Sequence, residues 1–180
     1  SKEERTTQLI SEIVFFGRQE IRKGVRLFCD ALDHLAPFVG DIPLQITFLG
    51  KFGNVAGVNS GAYIVMRSRR WNMKTRFLSN LGQTDALKYL IMPGRLAVIP
   101  SLAENSPCVV AECLALNIPF IATDSGGTAE LVAETDWDRC LVIPDSNALA
   151  KRLLECIKDG QRPARMAKSQ NQTRSRWREF

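Results

Sequence analysis

Three short stretches of this chain place charged side chains at sites where the chain must turn, two of them beside glycines. The first is Gly17-Arg18-Gln19-Glu20-Ile21-Arg22-Lys23-Gly24. Arg18, Arg22 and Lys23 offer a planar fork and point charges, which suit a phosphate or diphosphate; the plainer alternative is a capped helix start with solvated charges. The order is not that of a P-loop, nor of the dinucleotide fingerprint. The second stretch runs from Pro100 through Glu104, Asn105, Ser106, Pro107, Cys108 and Val109 to Glu112. Here a loop leads into a helix whose first amides, at Cys108 and Val109, favour an anion. Pro107 has no N–H to contribute. Glu104 falls in the loop, and Glu112 about one turn inside an apolar helix, where a carboxylate needs a partner. The pair therefore reads as two groups accepting from sugar hydroxyls rather than as an acid and a base. The third stretch is Asp124-Ser125-Gly126-Gly127-Thr128-Ala129-Glu130. Gly126 and Gly127 allow a ligand to approach the backbone closely; the plainer alternative is a tight turn.

All three stretches follow apolar runs that read as strands. Ile13–Phe16, Leu44–Leu49, Thr75–Leu78, Leu96–Ile99, Pro119–Ala122 and Cys140–Ile143 are the predicted strands. Helical spacing marks Val25–Ala36, Ala62–Arg70, Thr84–Met92, Cys108–Leu116, Thr128–Ala133 and Ala148–Lys158. Gly53 to Gly61 reads as a Gly/Asn-rich loop. Strand and helix in alternation predict an α/β fold: a Rossmann-like, mainly parallel sheet of about six strands with helices on both faces. Ligands of such sheets bind where the strands end, and the three stretches lie there.

Together the stretches resemble the carboxyl-terminal domain of family-four-type retaining glycosyltransferases (glycosyl transferases group 1), one half of a GT-B fold. The shared pattern is Gly17-Arg18, four residues, then Lys23-Gly24; Glu104 and Glu112 with seven residues between; and Gly126-Gly127-x-x-Glu130. Order and spacing agree over about residues 12–158. The resemblance implies that Gly17, Arg18 and Lys23 serve the donor diphosphate and Glu104 the transferred sugar. It also implies that Glu112 takes the ribose, that Ser106, Cys108, Val109, Gly126 and Gly127 border the donor, and that Ser79–Leu81 borders the base. Arg18, Lys23 and Glu104 are the expected catalytic residues. No metal or other cofactor is expected, because the cations neutralise the leaving diphosphate and no Asp-x-Asp motif is read in the chain. Two departures stand out. Ser106 and Pro107 replace the Phe-Gly of many relatives, and Gly50-Lys51-Phe52-Gly53 replaces Gly-x-Gly-Pro. Residues 54–74 match nothing in the pattern.

The domain expected from this reading is 1–160, followed by a basic tail, 161–180. Residues 1–160 hold 18 Lys+Arg and 18 Asp+Glu, so the net charge of +5 belongs to the tail. A tail with Trp177 and Phe180 has the chemistry to touch anionic lipid or nucleic acid. The plainer reading, a solvated helix or one packed on another domain, is favoured because no continuous apolar face runs through it. The expected partners are a nucleotide sugar, the amino-terminal acceptor domain of a longer chain, and a glycan, lipid or other small acceptor. Nucleic acid is not expected, and peripheral membrane contact rests on the tail alone. The five cysteines are scattered and read as mostly buried, reduced thiols. His34, the single histidine, reads as a helix-surface residue. No apolar run is long enough to span a bilayer, and a cytoplasmic setting is expected, at most at the inner face of a membrane. The rival readings are a sugar-nucleotide-binding or assembly module without turnover, and an epimerase of the same fold, for which acid/base residues are lacking.

Overall fold

The computed structural model describes residues 6–104 and 107–168. Six parallel strands form one sheet: β1 Glu12–Phe16, β2 Gln45–Leu49, β5 Lys74–Leu78, β6 Arg95–Ile99, β7 Phe120–Thr123 and β8 Leu141–Val142. Their spatial order is β5-β2-β1-β6-β7-β8, the order of a doubly wound Rossmann sheet. The register pairs Phe16 with Leu49, Leu49 with Leu78, and Ile99 with Ala122. The strands therefore end together, and the loops that follow share one edge.

The strands are apolar because both sheet faces are covered. On one face, Ile13, Phe15, Ile46 and Phe48 pack against helices α1 (Val25–Val39) and α7 (Ser146–Asp159). Phe15, Phe28 and Phe48 meet there with ring centroids 5.5–5.7 Å apart. On the other, Val14, Leu49, Ala97 and Ile99 pack with residues of α3 (Gln83–Ile91) and α4 (Cys108–Ala115). Helix α1 buries Val25, Phe28, Leu32, Leu35 and Val39, a stripe at helical spacing. Asp145 caps α7 by accepting from the Ala148 amide at 2.9 Å, and Leu149, Leu153 and Ile157 face inward. Cys29, Cys113, Cys140 and Cys156 are buried, Cys108 is exposed, and His34 is exposed on α1.

The Gly53–Gly61 segment is not simply a loop. Asn54–Val55 (β3) pairs with Val58–Asn59 (β4) as a small hairpin. Its turn residues Ala56 and Gly57 both have positive φ, as a two-residue hairpin turn requires. Asn59 then caps α2 (Ser60–Ser68) through the amides of Gly61 and Ala62. Two-residue strands leave no alternating pattern to read, which is why sequence periodicity misses them. Two four-residue helices, α5 (Thr128–Leu131) and α6 (Trp137–Cys140), lead to β8.

Residues 161–168, grouped with the tail by composition, pack on the domain. Gln161 bridges to Gln8, and Met166 to Val132. Ala164 is buried, and the Ala133 amide donates to the Arg165 carbonyl at 2.8 Å. Arg174, Arg176, Trp177, Arg178 and Phe180 lie outside the described residues, so the membrane and nucleic-acid expectations for the tail do too.

Candidate functional site

The strand order reverses between β1 and β6, and a cleft opens where crossovers leave to opposite faces. The Gly17–Gly24 stretch follows β1 and the Pro100–Pro107 stretch follows β6, so both flank this point. The Asp124–Glu130 stretch follows β7, the next strand over. Three stretches spread over residues 17–130 thus become neighbours.

Backbone contacts fasten them together. The Leu102 amide donates to the Arg22 carbonyl at 2.9 Å. The Ser101 carbonyl accepts from the Thr123 hydroxyl and, at 2.9 Å, from Ser125 Oγ. Gly24, at φ 82°, sits so close to the Pro100 carbonyl that a Cβ there would lie 1.8 Å from its oxygen. Gly126, at φ 56°, packs on the Glu104 carbonyl oxygen just as closely, at 1.8 Å from an ideal Cβ. The close approach at Gly126 is therefore to the neighbouring loop. Gly127 differs: its φ is −84°, and among the described residues an added Cβ would find only the Glu130 carboxylate, 3.9 Å away. Neither its backbone conformation nor its packing against the described residues demands glycine at 127.

Lys23 and Glu104 meet directly. Lys23 Nζ lies 2.8 Å from Glu104 Oε2, with the side chains 23% and 14% exposed. Ser101 Oγ donates to the same oxygen at 3.1 Å. The pair is shielded enough for its geometry to be held, and Lys23 has three N–H donors, of which Glu104 uses one. Arg18 is placed differently. Its guanidinium is largely exposed and pairs with Glu20 at 2.6 Å. Gly17 begins the loop at φ 151°.

The loop after β1 is braced from below by a residue that the sequence analysis passes over. Gln19 is fully buried. It donates to the Gly50 carbonyl at 3.0 Å and accepts from Ser60 Oγ at 3.2 Å. Ser60 Oγ in turn accepts from the Gly53 amide at 3.0 Å. The sequence signal available was a polar residue between Arg18 and Glu20 with no evident solvent role, which is too common to single out.

Helix α4 starts at Cys108, with Cys108 exposed and Val109 half-buried at its first turn. Ser106, just before it, lies outside the described residues. Glu112 is half-buried on α4, and the partner expected for it exists: Gln83 Nε2 donates to Glu112 Oε2 at 2.5 Å. Gln83 opens α3, beside the Ser79–Leu81 stretch.

One correction concerns the Asp-x-Asp motif expected to be absent: Asp136-Trp137-Asp138 has that spacing. Asp136 is fully buried. Its oxygens accept from Arg165 at 3.0 and 3.1 Å and meet Arg139 at 2.8 Å. Burial alone would raise its pKa, but the hydrogen bonds from Arg165 and Arg139 outweigh that and hold it well below the ordinary carboxylate range. This carboxylate anchors residues 161–168 and is already taken up by two cations. Among the described residues no cluster of three or more His, Cys, Asp or Glu is arranged to hold a metal. No helix among them is long and apolar enough to cross a membrane. An open groove lined by Gly40, Pro43, Trp71 and Lys74 lies at the opposite, amino end of the strands.

A doubly wound sheet of this order is of the Rossmann type, whose ligands bind at the switch point, here the place where Lys23 and Glu104 meet. The model of the family glycosyl transferases group 1 matches residues 11–159, and the chain belongs to that family. TuaC of Bacillus subtilis (strain 168), assigned as a glycosyltransferase of teichuronic acid biosynthesis, is 31% identical over 149 residues. That match covers 80% of this chain and 31% of TuaC, so the chain spans about a third of that relative's length. Among solved structures, the carboxyl-terminal domain of LpcC, a glycosyl transferase group 1 protein of Francisella tularensis, superposes with a TM-score of 0.67 at 19% identity, covering 84% of this chain and 78% of that one. Anabaena Alr3699/HepE in complex with UDP-glucose gives 0.64 at 22% identity, covering 83% and 40%. The fold is that of a Rossmann-like half of a GT-B glycosyltransferase.

Proposed function

We propose that this domain binds the donor of a glycosyltransferase that moves a hexosyl group from a nucleoside diphosphate sugar to an acceptor with retention of configuration. The observation that carries the reading is the Lys23–Glu104 pair, 2.8 Å apart at the switch point. In this reading Lys23 turns its remaining N–H groups to the diphosphate, and Arg18 swings from Glu20 to join it. The start of α4 at Cys108 and Val109 adds its helix dipole. Charge building on the leaving nucleotide is met by these groups in place of a metal. Glu104 accepts from a hydroxyl of the transferred sugar, Glu112 from the ribose, and Gly127 borders the donor. The acceptor, a glycan, lipid or other small molecule, is held by an amino-terminal domain of a longer chain. The setting is cytoplasmic.

Titrating UDP-glucose and GDP-mannose into the chain and into Lys23→Ala tests the reading. One donor should bind, and the variant should lose about 1.5–3 kcal/mol, roughly 10- to 150-fold in Kd. Equal binding by both proteins removes Lys23 from the site. Retention is read separately, by NMR of the anomeric proton in the product of the longer enzyme; an inverted product overturns it.

A further inference from the structure

We propose that Gln83 determines preference for a ribonucleotide donor by positioning Glu112, an inference that rests on the donor reading above. Helices α3 and α4 lie on the same face of the sheet. Both begin at the carboxyl edge of the strands, after β5 and β6. The hydrogen bond from Gln83 Nε2 to Glu112 Oε2, at 2.5 Å, joins their first two turns across 29 residues of sequence. With a diphosphate at Lys23 and the start of α4, the nucleoside falls into the space between these two helix ends. That space is open at its α3 side: Leu81 is exposed, and a Cβ on Gly82 would meet nothing within 4 Å among the described residues.

Glutamate has three side-chain torsions, and ordering it for a ligand costs conformational entropy. Gln83 fixes it beforehand, so less is lost when ribose arrives. The chemistry of the clamp matters. A lysine or arginine at 83 would neutralise Glu112 and compete with the sugar for both its oxygens. The neutral amide engages Oε2 and leaves the negative charge in place to accept from a ribose hydroxyl. Gln83 is exposed and packs no core, so its removal leaves the fold intact.

The test measures Kd for UDP and GDP, each against its 2′-deoxy form, with the wild-type chain, Glu112→Ala and Gln83→Ala. Thermal melting confirms that each variant is folded. The wild type should favour the ribonucleotide, and Glu112→Ala should bind the two forms alike. Gln83→Ala should weaken the ribonucleotide about fivefold while leaving the deoxy form within about twofold. Gln83→Glu, which sets a second negative charge against Glu112, should lose at least as much. If Glu112→Ala erases the preference and Gln83→Ala keeps it whole, Gln83 has no positioning role and the ribose assignment of Glu112 stands. If Glu112→Ala keeps the preference, the ribose assignment fails and this inference with it. A wild-type chain that binds no nucleotide, or binds both forms equally, also overturns it.

Discussion

Gly126→Ala is expected to melt well below the wild type, while its neighbour Gly127→Ala melts with it. At 126 the new methyl would sit 1.8 Å from the Glu104 carbonyl oxygen, and the backbone is at φ 56°. Alanine pays for that left-handed conformation with about 1–2 kcal/mol before any clash is counted. The clash is with backbone, so a loop must shift rather than a side-chain tip. A total of about 2–4 kcal/mol follows, or some 5–15 °C in Tm for a domain of this size. The loop that shifts carries Glu104, and its movement opens the Lys23 pair, so donor affinity should fall as well. At 127 the φ of −84° suits any residue, and the nearest atom among the described residues is a carboxylate oxygen 3.9 Å away. Its Tm should stay within about 1 °C. If a donor occupies the space beside it, the methyl should still weaken binding roughly tenfold. Equal melting of the two variants would mean that the loops after β6 and β7 are not locked as the structure places them. An unchanged donor Kd for Gly127→Ala would remove that residue from the site.

Those glycines show how far the sequence can be read. Gly126-Gly127 is visible as a turn after a strand, and the family resemblance places it at the donor. Which glycine the fold requires depends on Glu104, 22 residues before Gly126 in the chain. Position after a strand is similarly local information. That β1, β6 and β7 stand side by side is not, and Lys23 meets Glu104 only because of that order. The parallel strands are legible because burial on both faces turns them into apolar runs, and the predicted β1, β2, β5, β6 and β7 agree with the structure to within a residue at each end. The polar residues inside them are not legible as core. A carboxylate at the head of a strand looks like a solvated flank, and Glu12 falls outside the predicted Ile13–Phe16. Glu112 was expected to have a partner because an apolar helix surrounds it. Gln83 could not be named as that partner, since an exposed glutamine 29 residues away gives no periodic signal.

Glu12 should nonetheless be the polar side chain whose loss costs the fold most, and it should shape stability in acid. It is 7% exposed, in the central strand. Thr47 Oγ1 donates to it at 2.5 Å, Arg95 Nε at 2.9 Å and Arg76 at 3.1 Å, and the Tyr89 hydroxyl also bonds it. The Arg95 guanidinium stacks 3.6 Å from the Tyr89 ring centroid. Removing one partner of a buried ion pair costs about 3–5 kcal/mol. Arg76 is nearly half exposed and can rehydrate, so Glu12→Gln should lose about 2–3 kcal/mol at pH 7. Burial by itself would raise the Glu12 pKa, but the hydrogen bonds from Thr47, Tyr89 and Arg95 and the Arg95 charge together bring it below the ordinary value. The folded pKa is thus lower than the unfolded one, near 4.3. The stabilisation is whole above about pH 5 and is lost as pH falls through 4 toward the folded value, where the unfolded chain holds the extra proton. Asp136, also lowered, adds a second slope of the same sign. Melting curves of wild type and Glu12→Gln from pH 7 to pH 3 should therefore converge, because the variant has already lost what acid takes from the wild type. Parallel curves across that range would show that Glu12 is not the charged, hydrogen-bonded group that joins β1, β2, β5 and β6 at the amino end of the sheet, opposite the edge where Lys23 and Glu104 meet.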